Sequence, residues 1–172
     1  MSRVSIRRKP VIIGIMGSHK DDSPAVKEAY TLGEAIADRG YVLLTGGGGG
    51  VMKAASEGAH RSGGLVIAIL PSEKKRPLKG YPNEFVDIPI YTGMYDARNI
   101  INAKTPDIIV ALDGGAGTLS EIAIALKSGT PVIGLHCPRI DRMDDEYEFL
   151  SANTVGEAIQ KIDELVKTLK KE

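Results

Sequence analysis

The stretch from Leu112 to Glu121 reads L-D-G-G-A-G-T-L-S-E and predicts the junction of a strand with a helix. The apolar run Asp107–Leu112 leads into it, and apolar residues at helical spacing follow Thr118. Glycines let backbone amides approach an anion closely, and the free amides of a helix N-terminus favour negative charge. The stretch therefore predicts a phosphate site formed by Gly114, Gly115, Ala116, Gly117 and Thr118.

Apolar runs alternate with helical patterns along the rest of the chain, which predicts an α/β fold: a parallel sheet of about six or seven strands with helices on both faces. We expect residues 1–172 to form one domain. Pro89 predicts that its strand is short or lies at an edge of the sheet. The predicted strands are Val11–Met16, Tyr41–Thr45, Leu65–Leu70, Phe85–Tyr91, Asp107–Leu112 and Pro131–His136.

Helices are predicted between these strands and at the end of the chain. The first begins at Ser23-Pro24 and ends before Gly40, the second follows the polyglycine run, and the third spans Tyr95–Lys104. A fourth follows Thr118 as far as Gly129. The last carries apolar residues at helical spacing, namely Val155, Ile159, Ile162, Val166 and Leu169.

Two further glycine turns follow predicted strands, so all three turns should open onto the carboxyl edge of the sheet, where ligands of such folds bind. They add Gly17, Ser18, Gly46, Gly47, Gly48 and Gly49 to the predicted phosphate ligands. The simpler interpretation is that tight turns need glycine whatever they bind. Neither turn contains the glycine pattern of dinucleotide-binding proteins or of the kinase-type phosphate loop.

The composition limits the classes of partner. Lys plus Arg and Asp plus Glu both number 22, so nothing in the net charge indicates nucleic-acid binding. The three residues His60, His136 and Cys137 lack the spacing of metal ligands, and no metal site is expected. No apolar segment approaches membrane-spanning length, which predicts a cytoplasmic protein. The loops Ser72–Glu84 and Arg139–Phe149 have no predicted role. The basic segment Lys74–Lys79 could close over an anionic ligand, but a plain exposed loop is the favoured interpretation.

Four motifs give the chain a resemblance to the Rossmann-like superfamily that contains the LONELY GUY (LOG) phosphoribohydrolases. It looks closest to the molybdenum cofactor carrier proteins within that superfamily. The similarity covers roughly Ile12 to Cys137 and implies a three-layer Rossmann-like fold. The motifs are G-S at Gly17-Ser18, T-G-G-G-G-G-V-M at Thr45–Met52, T-G-M-Y-D-A-R-N at Thr92–Asn99 and D-G-G-A-G-T-L-S-E at Asp113–Glu121.

The resemblance implies a catalytic pair, Arg98 and Glu121, for release of a base from a nucleoside monophosphate. This chain departs from the family patterns at Asp113, where P-G-G-x-G-T-x-x-E has proline, and around Arg98, where M-H-x-R-K is replaced by Y-D-A-R-N. A structural role is the alternative for Glu121, because Thr118 and Glu121 have the spacing of a capping box at a helix start.

Two functions therefore remain open from the sequence, beside a purely regulatory nucleotide sensor that would use the same site together with partners that the sequence does not identify. One is a carrier for a phosphorylated purine or pterin, such as molybdopterin cofactor. The other is a LOG-type phosphoribohydrolase, which would need no cofactor. The resemblance also implies a homodimer or a higher homo-oligomer, and neither a membrane nor a nucleic acid is expected as a partner.

Overall fold

A computed structural model describes residues 9–138 and 148–169. These residues form an α/β Rossmann-like fold, with one parallel seven-stranded sheet in the order β4-β3-β2-β1-β5-β6-β7. The predicted fold class is confirmed. The strands are β1 (Ile12–Gly17), β2 (Val42–Thr45), β3 (Val66–Leu70), β4 (Ile88–Tyr91), β5 (Ile108–Leu112), β6 (Val132–Leu135) and β7 (Phe149–Ala152).

The central strands are buried on both faces, which is why they read as unbroken apolar runs in the sequence. Every residue of β2, β5 and β6 is buried. Pro89 lies in β4 at one end of the sheet, where a missing N–H costs no ladder hydrogen bond, so the predicted edge position is confirmed.

The helices cover the two faces unequally. Three of them pack in one core with Ile13, Ile15 and Leu43, and two pack in a second core with Leu44 and Ile109. The first three are α1 (Val26–Asp38), α2 (Gly50–Arg61) and α5 (Val155–Leu169), and the other two are α3 (Asn99–Lys104), preceded by a 3₁₀ turn (Tyr95–Arg98), and α4 (Ala116–Lys127).

Small residues on one face of α2 are buried, and they allow a close backbone approach to α1. A Cβ at Gly33 would meet the carbonyl of Ala55, and a Cβ at Gly58 would meet the carbonyl of Tyr30. The two helices therefore touch through their backbones, and this contact holds α2 in place behind the polyglycine run.

Three predicted starts were wrong and one strand was missed: β4 begins at Ile88 instead of Phe85, α4 begins at Ala116 ahead of Thr118, and α1 begins later than Ser23-Pro24. α1 begins at Val26, and Ser23 caps nothing in it: the Ser23 hydroxyl accepts a bond from the N–H of Ala25 at 3.3 Å and donates to Asp113 Oδ2 at 2.6 Å. Strand β7 was missed, because Phe149 had been assigned to the loop from Arg139. Residues 139–147 of that loop lie outside the described residues. No described helix is long and apolar enough to cross a bilayer.

Candidate ligand site at the carboxyl edge

A cleft of about 420 Å³ opens where the strand order reverses, between the carboxyl ends of β1 and β5. This switch point is where open parallel sheets bind their ligands, because the two flanking loops diverge there. The volume falls in the range of small-molecule pockets, about 300–1,000 Å³. The walls come from Gly17–Lys20 after β1, from Asp113–Thr118 after β5, and from Tyr81 and Arg98.

The N-terminus of α4 forms one wall. The helix begins at Ala116, Gly115 is its N-cap residue, and no side chain among residues 9–138 and 148–169 forms a cap hydrogen bond at this end. Gly115, Ala116 and Gly117 are exposed to the cleft, and a Cβ added at Gly115 or Gly117 would meet nothing within 4 Å. The predicted phosphate seat is therefore an open helix end with free N–H donors.

Gly114 has a different role from Gly115 and Gly117, which are open to the cleft. Its φ of +104° lies in the left-handed region, and its Cα lies against the side chain of Thr118. A side chain here would be both strained and crowded. Gly114 thus shapes the turn that presents the helix end.

The first turn contributes Gly17 and Ser18 to the same cleft. Gly17 lies so close to the carbonyl of Leu112 and the side chain of Val51 that a Cβ would not fit. The carbonyl of Ser18 accepts a bond from the N–H of Val51 at 2.9 Å, and its hydroxyl accepts one from the N–H of Lys20 at 3.2 Å. The Ser18 hydroxyl proton remains available to a ligand.

The polyglycine run is brought close to the cleft but does not line it. Its carbonyls accept bonds from the protein: Gly46 from Arg98 Nη1 at 2.8 Å, Gly47 from the N–H of Asn83 at 2.8 Å, and Gly48 from Asn83 Nδ2 at 3.0 Å. Gly46–Gly49 were predicted as phosphate ligands; in the structure a Cβ at Gly46 would meet Arg98 and a Cβ at Gly48 would meet Tyr81, and both of these side chains line the cleft. Gly46 and Gly48 have no room for a side chain, because Arg98 and Tyr81 pack directly on the backbone there.

Arg98 links the polyglycine run to the cleft. It is 9% exposed, and Nη1 donates to the carbonyls of Gly46 and Ile69 at 2.8 and 2.6 Å. Among the described residues, no ion pair within 4 Å joins Arg98 to Glu121 and no further hydrogen bond uses its Nε or Nη2. Those two nitrogens are the donors that Arg98 can offer to a ligand.

Glu121 is buried, with 8% exposure, and its Oε1 accepts a bond from Asn102 Nδ2 at 2.9 Å. Burial raises the pKa of Glu121 to about 7, while the Asn102 hydrogen bond and the charge of Arg98 oppose the rise. A carboxyl group with this pKa exchanges a proton readily at neutral pH.

The capping-box interpretation of Glu121 was wrong. Because α4 begins at Ala116, Thr118 lies inside the first turn, Glu121 lies in the second, and both side chains are buried. Glu121 bonds to α3 instead of to the start of its own helix. Its partner Asn102 was missed, since nothing in the sequence shows that α3 and α4 face each other at this point.

The backbone conformation of the turn explains why Asp113 stands where the family pattern has proline. The φ of Asp113 is +47°, which a proline ring cannot adopt. The Asp113 carboxylate accepts a hydrogen bond from the Ser23 hydroxyl. The turn therefore places a carboxylate in the wall of the cleft. No group of three or more metal-ligating side chains occurs among the described residues.

The geometry defines a class: a Rossmann-like α/β protein with a small-molecule cleft at its switch point, an open helix end on one side and a buried carboxyl group beneath. The chain belongs to the SLOG cluster4 family, whose model matches residues 10–166. It is similar to an uncharacterized protein of Archaeoglobus fulgidus, with 47% identity over 73% of this chain and 80% of that one.

The chain is also similar to one enzyme and to two molybdenum cofactor proteins. A cytokinin riboside 5'-monophosphate phosphoribohydrolase LOG of Oryza sativa is 34% identical over 62% of this chain, and the match covers 44% of the rice protein, so the chain spans less than half of that relative. A molybdenum cofactor binding protein of Rippkaea orientalis superposes with a TM-score of 0.82 at 38% identity, over 92% of this chain and 98% of that one. The Moco carrier protein of Chlamydomonas gives a TM-score of 0.81 at 36% identity, over 93% and 99%.

Proposed function

We propose that the protein binds a phosphorylated ligand with a purine or pterin ring, as a carrier similar to molybdenum cofactor carrier proteins. The observation that carries this proposal is the uncapped first turn of α4, whose free amides open onto the cleft. Phosphate is the natural occupant of such a helix end. The near-complete coverage of two molybdenum-cofactor-binding structures supports a pterin as the ligand.

Part of the cleft lining suits a flat ring. Tyr81 and Met52 line it, and the Tyr81 ring lies 5.9 Å from the guanidinium carbon of Arg98. Aromatic rings and thioethers pack well against heterocycles. The proposed ligand thus lies with its phosphate on Gly115–Thr118 and its ring towards Tyr81.

A second candidate function, nucleoside-monophosphate phosphoribohydrolase, is favoured by Glu121. A buried carboxyl with a pKa of about 7 at the floor of a phosphate cleft suits proton transfer with water, or a hydrogen bond to ribose, as the bond to the base breaks. In this reaction water adds at the ribose carbon and the base leaves with a proton. Arg98 would stabilise the phosphate, and no cofactor would be required.

We expect binding without turnover. The protein is incubated with AMP, GMP, CMP and a cytokinin monophosphate, and free base is measured by chromatography; retention of molybdopterin is measured in parallel by gel filtration and its fluorescence. The expected result is retained molybdopterin and no free base, because the chain lacks the lysine that follows the family's catalytic arginine and has Asn99 in its place.

The Glu121→Gln variant decides between the two candidates. It keeps an acceptor for Asn102 but cannot transfer a proton. Release of base by the natural chain that disappears in Glu121→Gln would replace the carrier proposal with the hydrolase. Glu84→Gln is the matched control, since Glu84 is exposed and pairs with Lys53 at 2.8 Å.

We further propose that the protein is a homodimer joined through an apolar patch on the α3 side of the sheet. The patch consists of exposed side chains on β4 and around the 3₁₀ turn and α3. In the parallel register Ile90 pairs with Ile69, which packs in the α3–α4 core, so both side chains point to that face. The members of the patch are Ile88, Ile90, Met94, Tyr95 and Ile100, which are 42–64% exposed.

Charging the patch should separate the two copies. We expect a dimer for the natural chain and a monomer for Ile90→Lys by light scattering after gel filtration, because a buried unpaired ammonium is costly. Leu169→Lys is the control: Leu169 is similarly exposed, at 39%, but lies in α5, which packs on the opposite face of the sheet. A natural chain that elutes as a monomer would exclude the dimer.

A further inference from the structure

A buried carboxyl group lies beside the proposed phosphate seat. Thr118 is the last residue of the seat, and Glu121 follows three residues later in α4, so the two side chains are neighbours on one helix face with Cβ atoms about 5–6 Å apart. Both side chains are buried and both line the cleft. A charged Glu121 would therefore repel a bound phosphate, and the low dielectric of a buried site strengthens that repulsion.

No cation pairs directly with Glu121. Among residues 9–138 and 148–169, Glu121 forms no ion pair within 4 Å, and the positive charge of Arg98 acts on it from a greater distance. The free donors of Arg98 are those it can offer to a phosphate. A phosphate bound to them would offset the charge that Arg98 presents to Glu121.

Glu121 is the only buried carboxyl group among the described residues that line the cleft. The helix that packs on it, α3, contributes Asn102, which does not titrate. The other titratable groups of the cleft lining are His19 and Lys20 after β1, Tyr81 before β4, Asp96 and Arg98 in the 3₁₀ turn, and Asp113 after β5.

The fully buried amide of Asn102 has one acceptor without a donor. Its Nδ2 donates to Glu121 Oε1 at 2.9 Å, but its Oδ1 accepts no hydrogen bond from a described residue. A buried acceptor without a donor is unfavourable. A protonated carboxyl group has an O–H donor, and a carboxylic acid can pair with an amide through two hydrogen bonds. Protonation of Glu121 would thus supply the donor that Asn102 Oδ1 lacks.

We propose that the protein takes up one proton from solvent when it binds a phosphomonoester dianion, and that Glu121 holds this proton against the amide of Asn102. This coupling rests on the proposed phosphate seat at α4. Burial already raises the pKa of Glu121 to about 7, and a bound phosphate raises that pKa further by repelling the carboxylate. The affinity for phosphate therefore falls as the pH rises above 7, because the proton must then be taken from a more dilute supply.

The test compares the affinity for AMP of the natural chain and of Glu121→Gln, by calorimetry at about pH 6.5 and about pH 8.5. Glutamine is neutral at both, so the ratio of the two affinities removes the titration of AMP itself. We expect the two chains to agree within about twofold at the lower pH and the variant to bind about ten- to thirtyfold more tightly at the higher pH. Titrations in two buffers with different enthalpies of ionisation should show uptake of about one proton by the natural chain near pH 8, where AMP is already a dianion.

Asp113→Asn is the matched control within the cleft. Asparagine keeps an acceptor for the Ser23 hydroxyl, and Asp113 is only partly buried, so this variant should still take up the proton. An affinity ratio that is the same at both pH values would overturn the coupling and leave the phosphate seat intact. So would proton uptake that persists in Glu121→Gln or disappears in Asp113→Asn. If neither the natural chain nor Glu121→Gln binds AMP at either pH, the phosphate seat itself fails, and the coupling with it.

Discussion

Replacing Gly117 by alanine is expected to weaken phosphate binding ten- to a hundredfold while leaving the fold as stable as before or more so. Gly117 is the second residue of α4, it is exposed to the cleft, and a Cβ there meets no protein atom within 4 Å. A helical Cβ leans towards the N-terminus, so the methyl group would point to the phosphate seat. Displacing the phosphate from charge-assisted donors costs about 1.5–3 kcal/mol.

The sequence offers a closely matched control in Gly156→Ala. Gly156 is the second residue of α5, is also exposed, and a Cβ there meets only the Thr154 hydroxyl at 3.9 Å. Each substitution should raise the free energy of unfolding by up to about 1 kcal/mol, from helix propensity. Only Gly117→Ala should change the affinity, measured by calorimetry. Equal affinities in both variants would place the phosphate away from the α4 end.

Replacing Glu121 by glutamine is expected to change how stability depends on pH. Burial raises the pKa of Glu121 from its ordinary value of 4.5 to about 7 in the folded chain. The folded state therefore binds the proton more tightly than the unfolded state does. The stability that Glu121 contributes is fully present below pH 4.5 and is lost as the pH rises through 7.

At pH 8 the natural chain has lost about 3 kcal/mol of this contribution to its free energy of unfolding. Glu121→Gln should show no such loss, because glutamine mimics the protonated acid. We expect the variant to gain about this much relative to the natural chain between pH 4.5 and pH 8, in urea unfolding. Glu84→Gln should show the opposite sign, because the hydrogen bond from Lys53 lowers the pKa of Glu84. A difference between Glu121→Gln and the natural chain that is independent of pH would mean that Glu121 titrates normally.

The strands that sequence reasoning found best are those that are buried on both faces. Residues Ile108–Leu112 are all buried, so no polar residue interrupts the pattern, and β5 was predicted to within one residue. β7 was missed because Phe149 and Leu150 are only partly buried and Ser151 is exposed, which leaves no apolar run to detect. A strand is thus easier to predict from the sequence when more of its side chains are buried.

Glycine-rich turns show where sequence reasoning about the site reached its limit. Gly114–Gly117 and Gly46–Gly49 look alike in the sequence, since both follow a buried strand and precede a helix. In the structure residues 115–117 are open to the cleft, whereas Arg98 packs on Gly46 and Tyr81 packs on Gly48. Asn83 bonds to the carbonyls of Gly47 and Gly48. The two side chains that bond to this run lie far from it in the sequence: Asn83 is 35 residues from Gly48, and Arg98 is 52 residues from Gly46.

The sequence by itself determined the parallel sheet, the edge position of β4 and the glycine turn at the start of α4. These follow from local rules: apolar runs of strand length, the missing N–H of Pro89, and the backbone freedom that Gly114 needs. Only the tertiary structure decided that Glu121 is buried against Asn102 and that Arg98 bonds to Gly46. The pKa of a carboxyl group and the openness of a helix end depend on which distant residues surround them, and the fold brings those residues together.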